Sequence, residues 1–386
     1  MLDFHRLQDQ LAHFSTYHRR EEALRARRLE RARQALAATN AGWEALREKV
    51  VAARPKWLVA GLRSAPGEAH TCGPRPTPVT VVATDGSQIF PDRHIEPTCY
   101  LLNVSRIAFQ YGTDERPLME AVPELHYRRD ELDDLYDPLF AEASTEVVSA
   151  LRDEIELREL LGTAKAVRLP GRPLVALADG TLIRWMIRRM QNRDLEQRLI
   201  ERYTEILAGF REERLPLCSY ISMPANTEVV NLLRVFLDEP EVQAHPEQTL
   251  AGLTDRCLFE AVLPPGTRSA TFESASHIQR EYGEDRICYF YLHVPLPEGG
   301  GEIGRVELPA WVADEDGLLD LVHAVVLSEC RKGNGYPMIL SEAHERAVIR
   351  AHEKALFYEM MEREMRSRGM HVAGSRKQAA KRRPVV

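Results

Sequence analysis

VTVVATDGSQ, residues 79–88, is a run of β-branched and small apolar residues that leads into Asp85 and a glycine. A run of this kind predicts a buried strand, and the Asp-Gly pair predicts a tight turn at its end. PLVALADGTL, residues 173–182, repeats the pattern around Asp179. We therefore expect two strands that each end in an aspartate, a glycine and a hydroxyl residue.

The segments around these two strands alternate in their periodicity. Strand-like stretches at residues 99–111 and 118–127 follow the first strand after short connections, which favours an antiparallel meander. The later segments are predicted as helices at residues 130–161, 183–213 and 226–237, and as strands at residues 216–223, near Thr271, and at residues 287–294 and 303–308. This order predicts an α/β fold, an RNase H-like mixed sheet with flanking helices.

Three regions are expected from the distribution of helix formers, prolines and basic residues. Residues 1–70 form a helical arm, helical to about Leu62, and a linker rich in proline and glycine. Residues 75–365 form the α/β domain, which closes with a helix from Pro337 to about Met365. Residues 366–386 contain arginine and lysine but no acidic side chain, and form a disordered basic tail.

Composition excludes several classes of protein. With 44% hydrophobic and 28% charged residues the 386-residue chain is not disordered, and its net charge of -7 argues against a protein that coats nucleic acid with its whole surface. The six cysteines form no CxxC pair and follow a polar start, which predicts free thiols in a reducing cytoplasm. The most apolar run, residues 318–327, is too short to span a bilayer, so no membrane association is expected.

Asp85 and Asp179 are the strongest candidates for chemistry. If their strands are neighbours in one sheet, the two carboxylates lie close enough together to hold hard divalent cations. Two other interpretations stay open at this point. Asp-Gly also marks ordinary turns, and actin-like ATPases place comparable Asp and Gly-Thr turns around phosphate.

Further candidates lie on predicted helices. The helix between the two strands contains Glu154 and Glu156, of which Glu154 lies nearer the apolar stripe on a helical wheel. Tyr336 lies at the start of the last helix, and His344 shares a stripe with the apolar residues of that helix. We therefore expect His344 to point inward, where it needs a metal, a scissile phosphate or a backbone carbonyl as partner.

Four short motifs follow one another between Val79 and Met365: ATDGSQ, LADGTLI, CSYISMPANTEVVNLLR and GYPMILSEAHERAVI. In these motifs the chain resembles the NurA nuclease family. The resemblance implies an RNase H-like fold and DNA cleavage dependent on Mn²⁺ or Mg²⁺, with exonuclease and single-strand endonuclease activity. It also implies a homodimer that processes DNA ends together with a HerA-type hexameric ATPase.

The resemblance also implies roles for particular residues. The two aspartates of the family match Asp85 and Asp179, its late tyrosine and histidine match Tyr336 and His344, and its helix glutamate matches Glu156 loosely. In the implied two-metal hydrolysis, Asp85 bridges both cations while Glu156 and Asp179 complete their coordination. His344 serves as a ligand, or orients or protonates the substrate, and Tyr336 stacks on a base or contacts a phosphate.

Two functions from other classes remain as alternatives. The first is a catalytically inactive scaffold that docks on an ATPase ring and grips DNA with the basic arm and tail, and the second is an actin-like ATP-dependent kinase. The apolar residues of the arm predict that it packs against another chain. The alternative for the arm is that it folds back on its own domain.

Overall fold

The computed structural model of the chain describes residues 4–91, 95–96, 98–133, 145–185, 187–190, 192–239, 249–370 and 373–374. These residues form two compact units. The first unit is built from Met1–Pro74, Gly180–Ile183 and Ser219–Gly335, and the second from Arg75–Asp179, Arg184–Cys218 and Tyr336–Val386. The expected arm thus lies in the first unit, and the expected α/β domain contributes to both. Most of the expected basic tail lies outside the described residues.

In chain order the helices are α1 (Phe4–Thr39), α2 (Trp43–Ala53), α3 (Arg129–Asp133), α4 (Thr145–Val167), α5 (Arg193–Glu212), α6 (Glu228–Phe236), α7 (Asp255–Val262), α8 (Ala310–Ala313), α9 (Asp316–Lys332), α10 (Met338–Ala347) and α11 (Ala351–Ser367). The strands are β1 (Gly61–Leu62), β2 (Ala69–His70), β3 (Val79–Ile89), β4 (Ile95–Glu96), β5 (Tyr100–Tyr111), β6 (Leu118–His126), β7 (Leu174–Asp179), β8 (Leu217–Ser222), β9 (Arg268–Ser269), β10 (Phe272–Glu273), β11 (Ile287–Pro295), β12 (Gly301–Pro309) and β13 (Ala373–Gly374).

The second unit contains a mixed sheet with the strand order β7-β3-β5-β6. β3, β5 and β6 form the expected antiparallel meander, and β7 joins β3 in parallel after the α4 crossover. The start of β8 continues the sheet after α5, since the Ala176 N–H donates to the Pro216 carbonyl. Apolar side chains of β5, α4 and α5 form a core around Leu102, Val148 and Leu199. The α/β class and the RNase H-like order of elements are confirmed.

β3 differs from its prediction because it does not end at Asp85. It continues to Ile89, and all eleven residues pair with β5, with Asp85 opposite Ser105. The long antiparallel partner supplies hydrogen bonds past the Asp-Gly pair, so the turn that this pair would favour in isolation does not form. The second Asp-Gly pair behaves as expected: β7 ends at Asp179, and Gly180 has a φ of +73°.

Two predicted helices also have other limits. The helix expected at residues 183–213 begins only at Arg193, where the Asn192 side chain accepts a hydrogen bond from the Leu195 N–H as an N-cap. The helix expected from Pro337 to Met365 is interrupted after Ala347 and resumes at Ala351. The helix expected at residues 130–161 is observed as α3 and α4, and residues 134–144 between them lie outside the described chain.

The first unit contains an antiparallel sheet with the order β1-β10-β11-β12-β8, which α1, α2, α6 and α7 cover. Ala32 and Leu36 of α1 and Leu46 of α2 belong to its apolar core. The arm therefore folds back on its own unit over the second half of α1. Its helical part ends at Ala53, and Gly61–Leu62 is a strand.

No helix among the described residues is both long enough and apolar enough to cross a membrane.

Candidate active site

Asp85 and Asp179 are held at the same level by the pairing of β3 with β7. The parallel register places Ala83 beside Leu177, and each aspartate follows two residues later on its own strand. Side chains two residues apart on a strand share a face, and neighbouring strands lie about 4.8 Å apart. The two carboxylates therefore belong to one face of the sheet on adjacent strands, although Asp85 lies within its strand and Asp179 ends its own.

Glu156 is the helix glutamate that lies beside Asp85: it approaches β3 at Gly86, on the face of the strand opposite to the Asp85 side chain, and is still close enough for the charge of Asp85 to raise its pKa. A Cβ atom added to Gly86 would lie 2.5 Å from Glu156 Oε1, so the missing side chain at Gly86 makes room for this carboxylate. α4 is also tied to β3 at this level, because the Thr84 hydroxyl donates to the Glu156 carbonyl at 2.9 Å. Burial raises the pKa of the Glu156 carboxyl to about 8, against the opposing effect of Arg152.

Glu154 occupies another part of α4. It is 6% exposed, as the helical wheel indicated, but its carboxylate lies 3.3 Å from Arg158 Nη1 and 3.9 Å from Arg202 Nη1. Glu154 is therefore a structural ion-pair partner that links α4 to α5. Of the two candidate glutamates, the structure brings only Glu156 to the aspartates.

His344 contacts Asp85 directly. Its Nδ1 lies 2.9 Å from Asp85 Oδ2, and because a carboxylate only accepts, Nδ1 is the donor. The expected inward orientation is wrong, since the His344 side chain is 66% exposed while that of Asp85 is 17% exposed. The apolar stripe of α10 is formed by Leu340, Ala343 and Ala347, and the ring extends from beside that stripe. Its partner is the carboxylate of Asp85, which was not among the expected partners.

Tyr336 contacts the second aspartate. Its hydroxyl donates to Asp179 Oδ1 at 2.7 Å, from a position just before α10. Tyr336, just before α10, and His344, within α10, thus each contact one of the two aspartates. The five candidate residues all belong to the second unit, where His344 and Glu156 lie beside Asp85 and Tyr336 contacts Asp179.

Two arginines complete the site, and the sequence motifs did not indicate them. Arg152 Nε lies 3.0 Å from Glu156 Oε1, and its Nη1 and Nη2 donate to Gln88 at 2.9 Å and to Asp153 at 3.0 Å. Arg184 Nη1 donates to the other oxygen of Asp153 at 3.1 Å. Arg152 precedes Glu156 by four residues, a spacing that places both on one face of a helix and could have indicated the pair.

The donor chemistry of the site fits a divalent cation. Glu156 Oε1 is buried and makes no hydrogen bond, since its approach to Arg152 Nε lacks the alignment of one. A buried carboxylate oxygen in this state is unfavourable unless a proton or a cation joins it. Within the described part of the chain, no three His, Cys, Asp or Glu side chains are already as close as a formed metal cluster requires.

The sheet order, the crossover helix and the paired acids define an RNase H-like α/β protein. The sequence model of the NurA domain matches residues 79–349, which is more than half of the chain, and the chain belongs to the NurA family. No curated protein matches the sequence.

Solved structures show a weak overall likeness. The NurA nuclease from Sulfolobus solfataricus is 14% identical, covers 78% of this chain and 86% of its own length, and superposes with a TM-score of 0.48. A second NurA structure is 14% identical over 75% of this chain and 90% of its own, with a TM-score of 0.35. LC9-RNase H1, a type 1 RNase H with the type 2 active-site motif, is 14% identical over 42% of this chain and 71% of its own, with a TM-score of 0.20.

Proposed function

We propose that this chain is a metal-dependent deoxyribonuclease that hydrolyses phosphodiester bonds. The observation that supports the proposal most strongly is the set of three carboxylates: Asp85 and Asp179 lie level on adjacent strands, and Glu156 lies beside Gly86 with a buried oxygen that forms an ion pair with Arg152 but no hydrogen bond. Membership of the NurA family supports the same activity, because a solved relative is described as a nuclease. Hard oxygen donors of this kind suit Mn²⁺ or Mg²⁺.

The carboxylates of Asp85, Asp179 and Glu156 would hold the two cations. When bound, such ions lower the pKa of an attacking water and neutralise charge on the phosphate and the leaving oxygen. Arg152 keeps a positive charge beside Glu156 and restrains its rotamer through the contacts with Gln88 and Asp153. The carboxylate is thereby oriented before any cation arrives.

His344 and Tyr336 would act next to these carboxylates. Because His344 Nδ1 is engaged by Asp85, its Nε2 is the ring nitrogen left to ligate a cation, to orient the scissile phosphate or to donate a proton to the leaving oxygen. The hydroxyl of Tyr336 fixes Asp179, and its half-buried ring would contact a base or a phosphate near the cut. Both residues thus orient one aspartate each beside the substrate.

In its finer details, the proposed activity is the degradation of DNA ends by an exonuclease that also cuts single strands, within DNA end processing. The partners would be DNA, a second copy of the chain and a HerA-type hexameric ATPase. The net charge of -7 supports a partner that delivers the DNA, since an acidic protein gains little from free encounter with a polyanion. The apolar side chains that α1 exposes near its start support a protein partner.

End-labelled double-stranded and single-stranded DNA tests the activity, with Mn²⁺, with Mg²⁺ and with a chelator. We expect cleavage only with a cation, and a loss of at least about 100-fold in Asp85→Asn and Asp179→Asn, as removal of a metal ligand should exceed the 10- to 100-fold typical of outer partners. Asp114→Asn, an exposed acid in a turn, is the matched control and should cleave normally. Melting temperatures should hold or rise in the two site variants, because each change relieves repulsion between carboxylates.

Near-normal cleavage by either site variant would refute the assignment of the carboxylates. DNA that is bound but not cut with any cation would instead indicate the catalytically inactive scaffold.

A further inference from the structure

His344 belongs to α10, but few neighbouring side chains restrain the position of its ring. The side chain is 66% exposed, so packing does not determine where the imidazole lies. Its contact with Asp85 therefore depends on how accurately the helix is placed against β3. One turn beyond His344, the structure shows a point at which the helix is hydrogen-bonded to the sheet.

That point is the carbonyl of Ala347, the last residue of α10. The final carbonyls of a helix have no partner within the helix, and they need donors from elsewhere. Asn103 Nδ2 donates to the Ala347 carbonyl at 2.8 Å, and the Ser87 hydroxyl donates to the same oxygen. Ser87 and Asn103 lie opposite each other in the β3·β5 pair, so two neighbouring strands donate hydrogen bonds to the same carbonyl oxygen.

The same two donors explain why the helix stops there. In an uninterrupted helix the Ala347 carbonyl would accept the N–H of Ala351, but Ala351 instead begins α11. Val348 leaves the helical conformation with φ -53° and ψ 123°, and the carbonyl is left to the two side chains. The interruption is thus a consequence of tertiary hydrogen bonds that no local helix propensity predicts.

Ser87 also lies two residues after Asp85 on the same face of β3. One strand therefore touches α10 twice, at His344 through Asp85 and at Ala347 through Ser87. We propose that Ser87 and Asn103 form a carbonyl clamp that positions α10, so that His344 meets Asp85 in the geometry that cleavage requires. They are positioning residues rather than catalytic ones. The inference rests on the proposed nuclease function, and it gives a role to the hydroxyl residue of the first Asp-Gly motif.

A double-mutant cycle tests whether the clamp acts through His344. Ser87→Ala and Asn103→Ala together should lower cleavage about 10- to 100-fold, the cost of a misplacement near 1 Å. In a His344→Gln background the same pair should cost less than about threefold, because residues that act through one group are not additive. Ser87→Thr keeps the hydroxyl and should restore most of the rate lost in Ser87→Ala. If the losses of cleavage caused by the Ser87→Ala/Asn103→Ala pair and by His344→Gln were fully additive, the proposal would be overturned.

The matched control is Ser149→Ala in α4. It removes a hydroxyl that donates a hydrogen bond of 2.9 Å to the Thr145 carbonyl. This is also a bond from a side chain to a backbone carbonyl, but it lies away from α10. Its cleavage rate should equal that of the unaltered chain.

Hydrogen exchange of the α10 amides measures the clamp without any enzymatic assay. We expect faster exchange at residues 341–347 in the Ser87→Ala/Asn103→Ala variant and unchanged exchange in α4. Unchanged exchange in α10 would overturn the clamp. If the unaltered chain cleaved no DNA, the proposed function would fail, and the exchange measurement would still decide separately whether the clamp exists.

Discussion

Gly86 is the residue at which the site is most sensitive to a single added atom. A Cβ there would lie 2.5 Å from Glu156 Oε1, at the end of its side chain, and 2.9 Å from Arg152 Cγ, near the start of its side chain, so both residues have to shift. Gly86→Ala should still fold, because the lower backbone entropy of alanine in a strand offsets part of the cost of that shift. Because Glu156 must leave its position, we expect cleavage to fall by at least about 10-fold while the melting temperature changes little.

Gly162→Ala in α4 provides the comparison, because nothing lies within 4 Å of its added Cβ. A glycine-to-alanine change inside a helix should stabilise the protein by roughly 0.5–1 kcal/mol. Its cleavage rate should stay unchanged. A Gly86→Ala protein that cleaves as fast as the unaltered chain would show that Glu156 need not lie above β3.

The sequence predicted the residues of the site better than it predicted their contacts. Asp85 and Asp179 could be found because each follows an apolar run, and that pattern does not depend on the rest of the fold. The sequence could not decide between Glu154 and Glu156, because both lie on the side of α4 that faces the protein. Their contacts distinguish them: Glu154 pairs with Arg158, whereas Glu156 lies beside Gly86. A helical wheel reports which side chains are buried, but not which neighbour each one meets.

At the scale of elements, the order of strands and helices followed from periodicity, whereas their ends often did not. β3 continues past Asp85 because β5 pairs with it over eleven residues. α10 ends at Ala347, where Ser87 and Asn103 donate hydrogen bonds to the last carbonyl of the helix. In both cases hydrogen bonds to an element far away in the sequence overrule the local preference, and such bonds cannot be deduced from one segment alone.

Among the described residues, the first half of α1 exposes a row of large apolar side chains. Leu11, Phe14 and Tyr17 are 53%, 59% and 62% exposed and recur every three residues along one side of the helix. We expect a Leu11→Gln/Phe14→Gln/Tyr17→Gln variant to keep its melting temperature, because these side chains are not part of the core, and to lose self-association or binding to the ATPase. Light scattering of the protein alone and mixed with the ATPase measures both.

α11 offers the competing surface, with Leu356 53% and Met360 59% exposed. A Leu356→Gln/Met360→Gln variant is therefore measured in parallel and should assemble normally. If the α1 variant still assembled and the α11 variant did not, the assembly surface would have to be moved from the arm to α11. The second half of α1 should not be deleted in such a test, since Ala32 and Leu36 belong to the core.

At the scale of the whole molecule, charge is separated along the chain. The net charge is -7, yet the first helix exposes Arg19, Arg27 and Arg33, and the last residues of the sequence are basic. The carboxylates of Asp85 and Asp179 in the second unit, in contrast, lie level on adjacent strands of its sheet. This distribution suits a protein that binds cations at one place and polyanions at others.

Binding of Mn²⁺ to the metal-free protein tests the central claim most directly, because it needs neither DNA nor a partner. Calorimetric titration should show binding to the unaltered chain, and affinity should fall at least about 10-fold in Asp85→Asn, Asp179→Asn and Glu156→Gln. Glu154→Gln, on the same helix but paired with Arg158, should bind as the unaltered chain does. Equal affinity in all five proteins, or a loss in Glu154→Gln alone, would contradict a cation site built from Asp85, Glu156 and Asp179.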